Sequence, residues 1–135
     1  MHLRHIAVPF AAAVAVLTLA SSAGAHRSLV QTIAVTAGKP SEFKFTVVPK
    51  TVRHGAVVFR ITNSATTSLP HDFKICASPK GSLTKNSCAG KSSKTISPGV
   101  KTTLTYTFKT KGTYEYLCTI PGHAAAGMKG LLKVT

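Results

Sequence analysis

The chain has 135 residues, 44% of them hydrophobic, which bounds it to one domain with a modest core. It carries 17 lysines and arginines against three acids, Glu42, Asp72 and Glu115, for a formal charge of +14. That charge steers the protein toward anionic partners without naming one. Nucleic acid is not expected among them, because no nucleic-acid-binding motif is present, and no paired acids or nucleophile–base arrangement suggests an enzyme.

Met1-His-Leu-Arg-His5 gives a positively charged start, Ile6 to Ala20 is nearly all apolar, and Ala23-x-Ala25 follows among small residues. These are the three parts of a secretory signal peptide, with cleavage expected between Ala25 and His26. Read as a membrane anchor, the apolar run of about 15 residues falls short of the ~20 that span a bilayer, and Pro9 interrupts it. Residues 1–25 are therefore expected to be removed. The domain is 26–135, exported to the periplasm, the cell envelope or the medium. Without Arg4, 16 basic residues face three acids, a net charge of +13.

Period-two alternation then recurs along the chain. Ile33 and Val35 open it. Phe43, Phe45 and Val47 follow, then Val57, Phe59 and Ile61. Leu104, Tyr106 and Phe108, then Tyr114, Tyr116 and Cys118, and finally Leu132 and Val134 complete the series. Turn residues separate these runs at Gly38-Lys-Pro40, Pro49-Lys50, His54-Gly55, Ser97-Pro-Gly99 and Lys109-Thr-Lys-Gly112. No segment sustains a helical period. The pattern predicts an all-β, two-sheet antiparallel sandwich of seven or eight strands.

Between the runs, Pro70-His-Asp-Phe-Lys-Ile-Cys76 reads as a strand with His71, Phe73 and Ile75 on its apolar face and Asp72, Lys74 and Cys76 on the other. A lone histidine on such a face is more often a core residue than a ligand. Three cysteines in an exported protein leave one unpaired. Cys76 and Cys88 flank a loop rich in Ser, Lys, Gly and Asn and are expected to form a disulfide. Cys118 is then free.

Cys118 ends an inward-facing strand. His123 follows after four residues and Met128 after four more, in a loop bent by Pro121-Gly122 and Gly127. A free cysteine or a methionine alone is usually core filler, and two histidines with one cysteine could also hold zinc. Thiolate, imidazole and thioether together suit copper. Two histidines and a cysteine in a plane with a weak axial methionine make a blue copper electron-transfer site. The loop lacks only the second histidine, and His71 supplies it.

With these residues in place, the sequence resembles the cupredoxins, the plastocyanin-like and azurin-like blue copper proteins. The segments that carry the resemblance are Phe59-Arg-Ile-Thr-Asn63, Leu69-Pro-His-Asp72, Lys111-Gly-Thr-Tyr-Glu-Tyr-Leu-Cys118 and Gly127-Met-Lys-Gly130. The Cys118-to-Met128 spacing is similar to that of auracyanin or rusticyanin. The resemblance implies a cupredoxin-like Greek-key β-sandwich with one type 1 copper at one end, held by His71, Cys118, His123 and Met128. Pro70, Asp72 and Thr119 would surround the ligands. His123 would lie near the surface, where Ile120-Pro121-Gly122 and Ala124-Ala125-Ala126 would form an electron-transfer patch. The family often has Asn or Ser after the first histidine ligand. Asp72 stands here instead, either accepting backbone hydrogen bonds near the copper or serving only in a turn.

The function that follows is a monomeric electron carrier between exported or membrane redox partners. Lys74, Lys80, Lys85, Lys91 and Lys94 would face an acidic docking surface, or merely solvent, and anionic envelope polymers are further candidate partners. The alternative is copper delivery or storage, in one variant through a mature N-terminal His26 with His54. An enzyme is not expected. Leu117 and Thr119 flank Cys118 where a multicopper oxidase has histidines, and Gly122 stands where a binuclear centre needs a second cysteine.

Overall fold

The computed structural model describes residues 29–135, so the expected signal peptide, 1–25, and His26 lie outside the described residues. Nine strands and no helix are present among them: β1 (Gln31–Ala37), β2 (Phe45–Val48), β3 (Thr51–Val52), β4 (Gly55–Asn63), β5 (Lys74–Cys76), β6 (Gly90–Ser92), β7 (Lys101–Phe108), β8 (Gly112–Leu117) and β9 (Lys129–Val134). They form two sheets, ordered β2-β1-β4-β7 and β3-β9-β8-β5-β6.

The sandwich is the expected one, with two differences. Nine strands stand where seven or eight were expected, because β3 has two residues and β6 is a wholly exposed Gly-Lys-Ser edge, so neither carries a readable alternation. The sheets are also mixed rather than antiparallel, since β1 pairs parallel with β4 and β3 with β9. After β2 the chain crosses to the other sheet as β3 and returns beside β1 as β4. Local alternation cannot reveal that crossing.

Apolar faces meet where the alternation places them. Ile33, Val35, Val57, Phe59, Ile61, Leu104 and Phe108 pack against Tyr114, Tyr116, Leu132 and Val134. Phe73 sits among them, with ring centroids 5.3 Å from Phe45, 5.1 Å from Phe59 and 5.2 Å from Tyr116. Such edge and tilted aromatic contacts add to the area buried.

Strand β8 departs from simple alternation, for Glu115 and Leu117 are buried as well as Tyr114 and Tyr116. The chain between Cys76 and Cys88 covers its outer face. Gly81 donates to the Thr113 carbonyl at 2.8 Å, and the Cys76–Cys88 disulfide ties the two ends of the loop with Cα atoms 5.6 Å apart. Cys76 faces away from the main core, as expected, yet is itself buried with Leu117 and Ala124. The loop also buries Glu115, whose Oε1 has no hydrogen-bond partner, at a cost in free energy. Closing the loop covalently offsets that cost through the unfolded chain. Replacing Cys76 and Cys88 by alanine is expected to lower stability by about 3 kcal/mol, read as an earlier urea midpoint.

Buried Asn63, at the end of β4, sets the approach to the site. Its amide donates to the Leu69 and Ile96 carbonyls at 2.9 and 3.0 Å and accepts from Thr67 at 2.9 Å. This fixes residues 64–70 over one end of the sandwich. His71 follows, and its N–H and C=O both bond to Ile96, at 3.0 and 2.8 Å.

Candidate metal centre

The structure brings His71, Cys118 and His123 together at that end, with one donor atom of each within 4.8 Å of the others, all three residues buried. The Nδ1 atoms of His71 and His123 are 3.2 Å apart, and Cys118 Sγ is 3.5 Å from His123 Nδ1. Met128 is fully buried and packs in one cluster with Cys118 and Ala37. Two imidazoles and a thiol thus converge in a space closed to water, with a thioether beside them. This donor set fits copper.

Each side chain is set by its own element. The strand expected over 70–76 is broken. His71 makes an isolated bridge with Ile96, and the β5–β8 ladder stops at Lys74 and Leu117. Beyond that point the Thr119 N–H goes to Asp72 Oδ1, at 2.6 Å, and the Thr119 hydroxyl bonds to Oδ2 of the same carboxylate. Asp72 therefore ties the first histidine's segment to the residue after Cys118. Pro70 is exposed.

The 118–128 loop closes on itself. Cys118 N–H donates to the Met128 carbonyl at 3.0 Å, and Met128 N–H to the His123 carbonyl at 2.9 Å. Gly122 and Gly127, with φ of +86° and +99°, take a backbone conformation that side chains resist. That freedom returns the chain within one tight turn, so the three side chains of the loop share one end of the fold.

His123 is 7% exposed, and Phe43 lies edge-on to its ring at 5.1 Å. Around it Pro121, Gly122, Ala125 and Ala126 are exposed and Ile120 is half-buried. Ala124 differs from its expected surface placement. It is buried among Cys76 and Leu117 on the disulfide side, because the loop turns it inward.

Sequence reasoning missed Glu42, which entered there only as one of the three acids. Its Oε1 lies 3.0 Å from His71 Nε2, and its carboxylate accepts the backbone N–H groups of Ser68 at 3.0 Å and Leu69 at 3.3 Å. The Ser68 N–H is the main cause that holds this carboxyl below the usual range, with His71 and Leu69 adding to it. One signal existed: an acid is rare in so basic a chain. Nothing in the residues around Glu42 pointed to a histidine nearly thirty positions away.

Burial pushes the Cys118 thiol up to about 11 and lowers His123, with the neighbouring His71 acting in the same sense on that ring. A metal ion at Cys118 must displace the thiol proton, so affinity climbs as pH rises toward that value. The metal-free His123 ring is already neutral near pH 7 and adds little. Copper affinity is expected to increase about tenfold per pH unit, hence roughly 100-fold from pH 6 to pH 8, in competition with a chelator of known proton affinity.

A sequence model of the copper binding proteins of the plastocyanin/azurin family matches residues 31–135. Auracyanin-B of Chloroflexus aurantiacus is 48% identical over 40 residues, 30% of this chain and only 17% of that protein's length. Among solved structures, reduced auracyanin from Roseiflexus castenholzii superposes with a TM-score of 0.61 at 23% identity, over 78% of this chain and 97% of that one. A copper nitrite reductase from Nitrosomonas europaea gives 0.55 at 22% identity, over 78% of this chain but 41% of the enzyme. These last two likenesses are of fold.

Proposed function

The chain belongs to the plastocyanin/azurin family of copper-binding proteins, and from that membership we propose that it is a blue copper electron carrier with the ligands His71, Cys118, His123 and Met128. The observation that carries this reading is the convergence of three buried donor atoms within 4.8 Å, with the Met128 side chain packed on Cys118. Copper bound there supplies one-electron chemistry between Cu(II) and Cu(I). The chain's own residues hold the site still. Asp72 locks Thr119, the closed loop locks Cys118 against Met128, and Ile96 locks the His71 backbone. A site that rearranges little when an electron moves exchanges electrons readily.

Electrons pass through His123, whose surroundings of Pro121, Gly122 and Ala125 form a small, uncharged docking patch. The carboxylates of Glu42 and Asp72 are engaged inside this end of the molecule, which supports an acidic redox partner for the lysines around the disulfide loop. The protein is exported after loss of residues 1–25 and acts as a monomer. We read it as a carrier and not an enzyme, because Leu117 and Thr119 flank Cys118 where a multicopper oxidase has histidines.

Adding Cu(II) to the purified protein tests the reading. An intense blue band is expected that one equivalent of a one-electron reductant bleaches and an oxidant restores. Slow copper loss to a chelator separates a carrier from a delivery protein. A colourless protein that holds zinc tightly would overturn the proposal.

A further inference from the structure

We infer that Glu42 is the positioning residue of this centre: it selects the His71 nitrogen that faces the metal and biases the site toward Cu(II). The inference rests on the copper reading above. His71 is fully buried, and among the described residues its Nε2 has Glu42 Oε1 as its hydrogen-bond partner, at 3.0 Å. An ionised carboxylate only accepts, so Nε2 carries the proton. Nδ1 keeps its lone pair, and Nδ1 is the atom that meets His123 and the Cys118 side of the site. A metal-ligating histidine whose far nitrogen donates to a carboxylate is fixed in tautomer and ring orientation and becomes a more basic ligand.

Glu42 is itself fixed. The Ser68 and Leu69 N–H groups hold its two oxygens, so the carboxylate joins the chain before β2 to the segment that delivers His71. Gly38 lies against the same segment, and a Cβ there would overlap the Thr67 side chain. Charge gives the contact a second consequence. The chain carries 17 basic residues and three acids, and two of those acids, Glu42 and Asp72, lie at this centre. The negative charge of the Glu42 carboxylate beside the His71 ring favours the higher charge of Cu(II) over Cu(I), against the positive field of the rest of the chain.

Glu42→Gln separates charge from shape. The amide oxygen at the Oε1 position still accepts from His71, and the charge is gone. With the copper-loaded full domain, the ratio of Cu(II) to Cu(I) affinity is expected to fall about tenfold, which raises the reduction potential by about 59 mV for a one-electron couple. The melting temperature of the metal-free protein should fall modestly, because the amide nitrogen standing in place of Oε2 cannot accept from the Ser68 N–H. Glu42→Ala, which also frees the ring, should in addition release copper to a chelator about tenfold faster. A Glu42→Gln potential equal to or below wild type overturns the inference, whatever happens to stability, and leaves Glu42 a structural tie. A wild-type protein that never turns blue defeats the copper reading instead. If Glu42→Ala does not fold, the Glu42→Gln potential alone decides.

Discussion

Cys118→Ser is expected to abolish the blue charge-transfer band while leaving the fold intact. The band arises from a thiolate bonded to Cu(II), and Cys118 is the one free thiol among the described residues. Serine keeps the size of the side chain, but its hydroxyl does not ionise in this range and is a hard, weak donor to copper. The fold has little to lose. Cys118 is held through its backbone N–H to the Met128 carbonyl, a bond that the substitution leaves in place. Metal-free stability should change by about 1 kcal/mol. Absorption spectra of copper-loaded wild type and variant check the first half, and urea melts of the metal-free forms check the second. A variant that stays blue would mean that another sulfur binds copper.

Much of this centre was legible because its chemistry lies in one short loop. Cys118, His123 and Met128 stand close in sequence with glycines between them, so no long-range pairing had to be guessed. His71 was recoverable only because the loop was one imidazole short. The period-two runs placed Phe59, Tyr116 and Leu132 in the core because each strand has one face to bury. Where that premise failed, the reading failed with it. Glu115 and Leu117 are buried by a loop crossing the outer face of β8, and the parallel β1–β4 pair depends on a crossover that alternation does not record. Glu42 shows the same limit at the site. Its contact with His71 joins two loops through the third dimension, and a single acidic letter carries no trace of it.

Phe73→Ala should do the converse of Cys118→Ser, costing the fold heavily while sparing the colour. The Phe73 side chain is fully buried, with Phe45, Phe59 and Tyr116 around it, which come from both sheets. Truncation removes its apolar area and leaves a hole that rigid aromatic rings cannot fill, so a loss of 3–5 kcal/mol, about 4, is expected. For a domain of this size that corresponds to a fall of roughly 15–30 °C in melting temperature of the metal-free protein. Copper binds only the folded state, so the loaded variant should recover part of the loss. The site itself is insulated from the hole. The His71 backbone is held on both sides by Ile96, and the Phe73 backbone by Ser93, through bonds that the truncation leaves in place. The blue band of the folded variant should therefore keep its position. A band that shifts or vanishes at temperatures well below the melt would show that packing behind His71, and not its backbone and Glu42, is what holds the ring toward the metal.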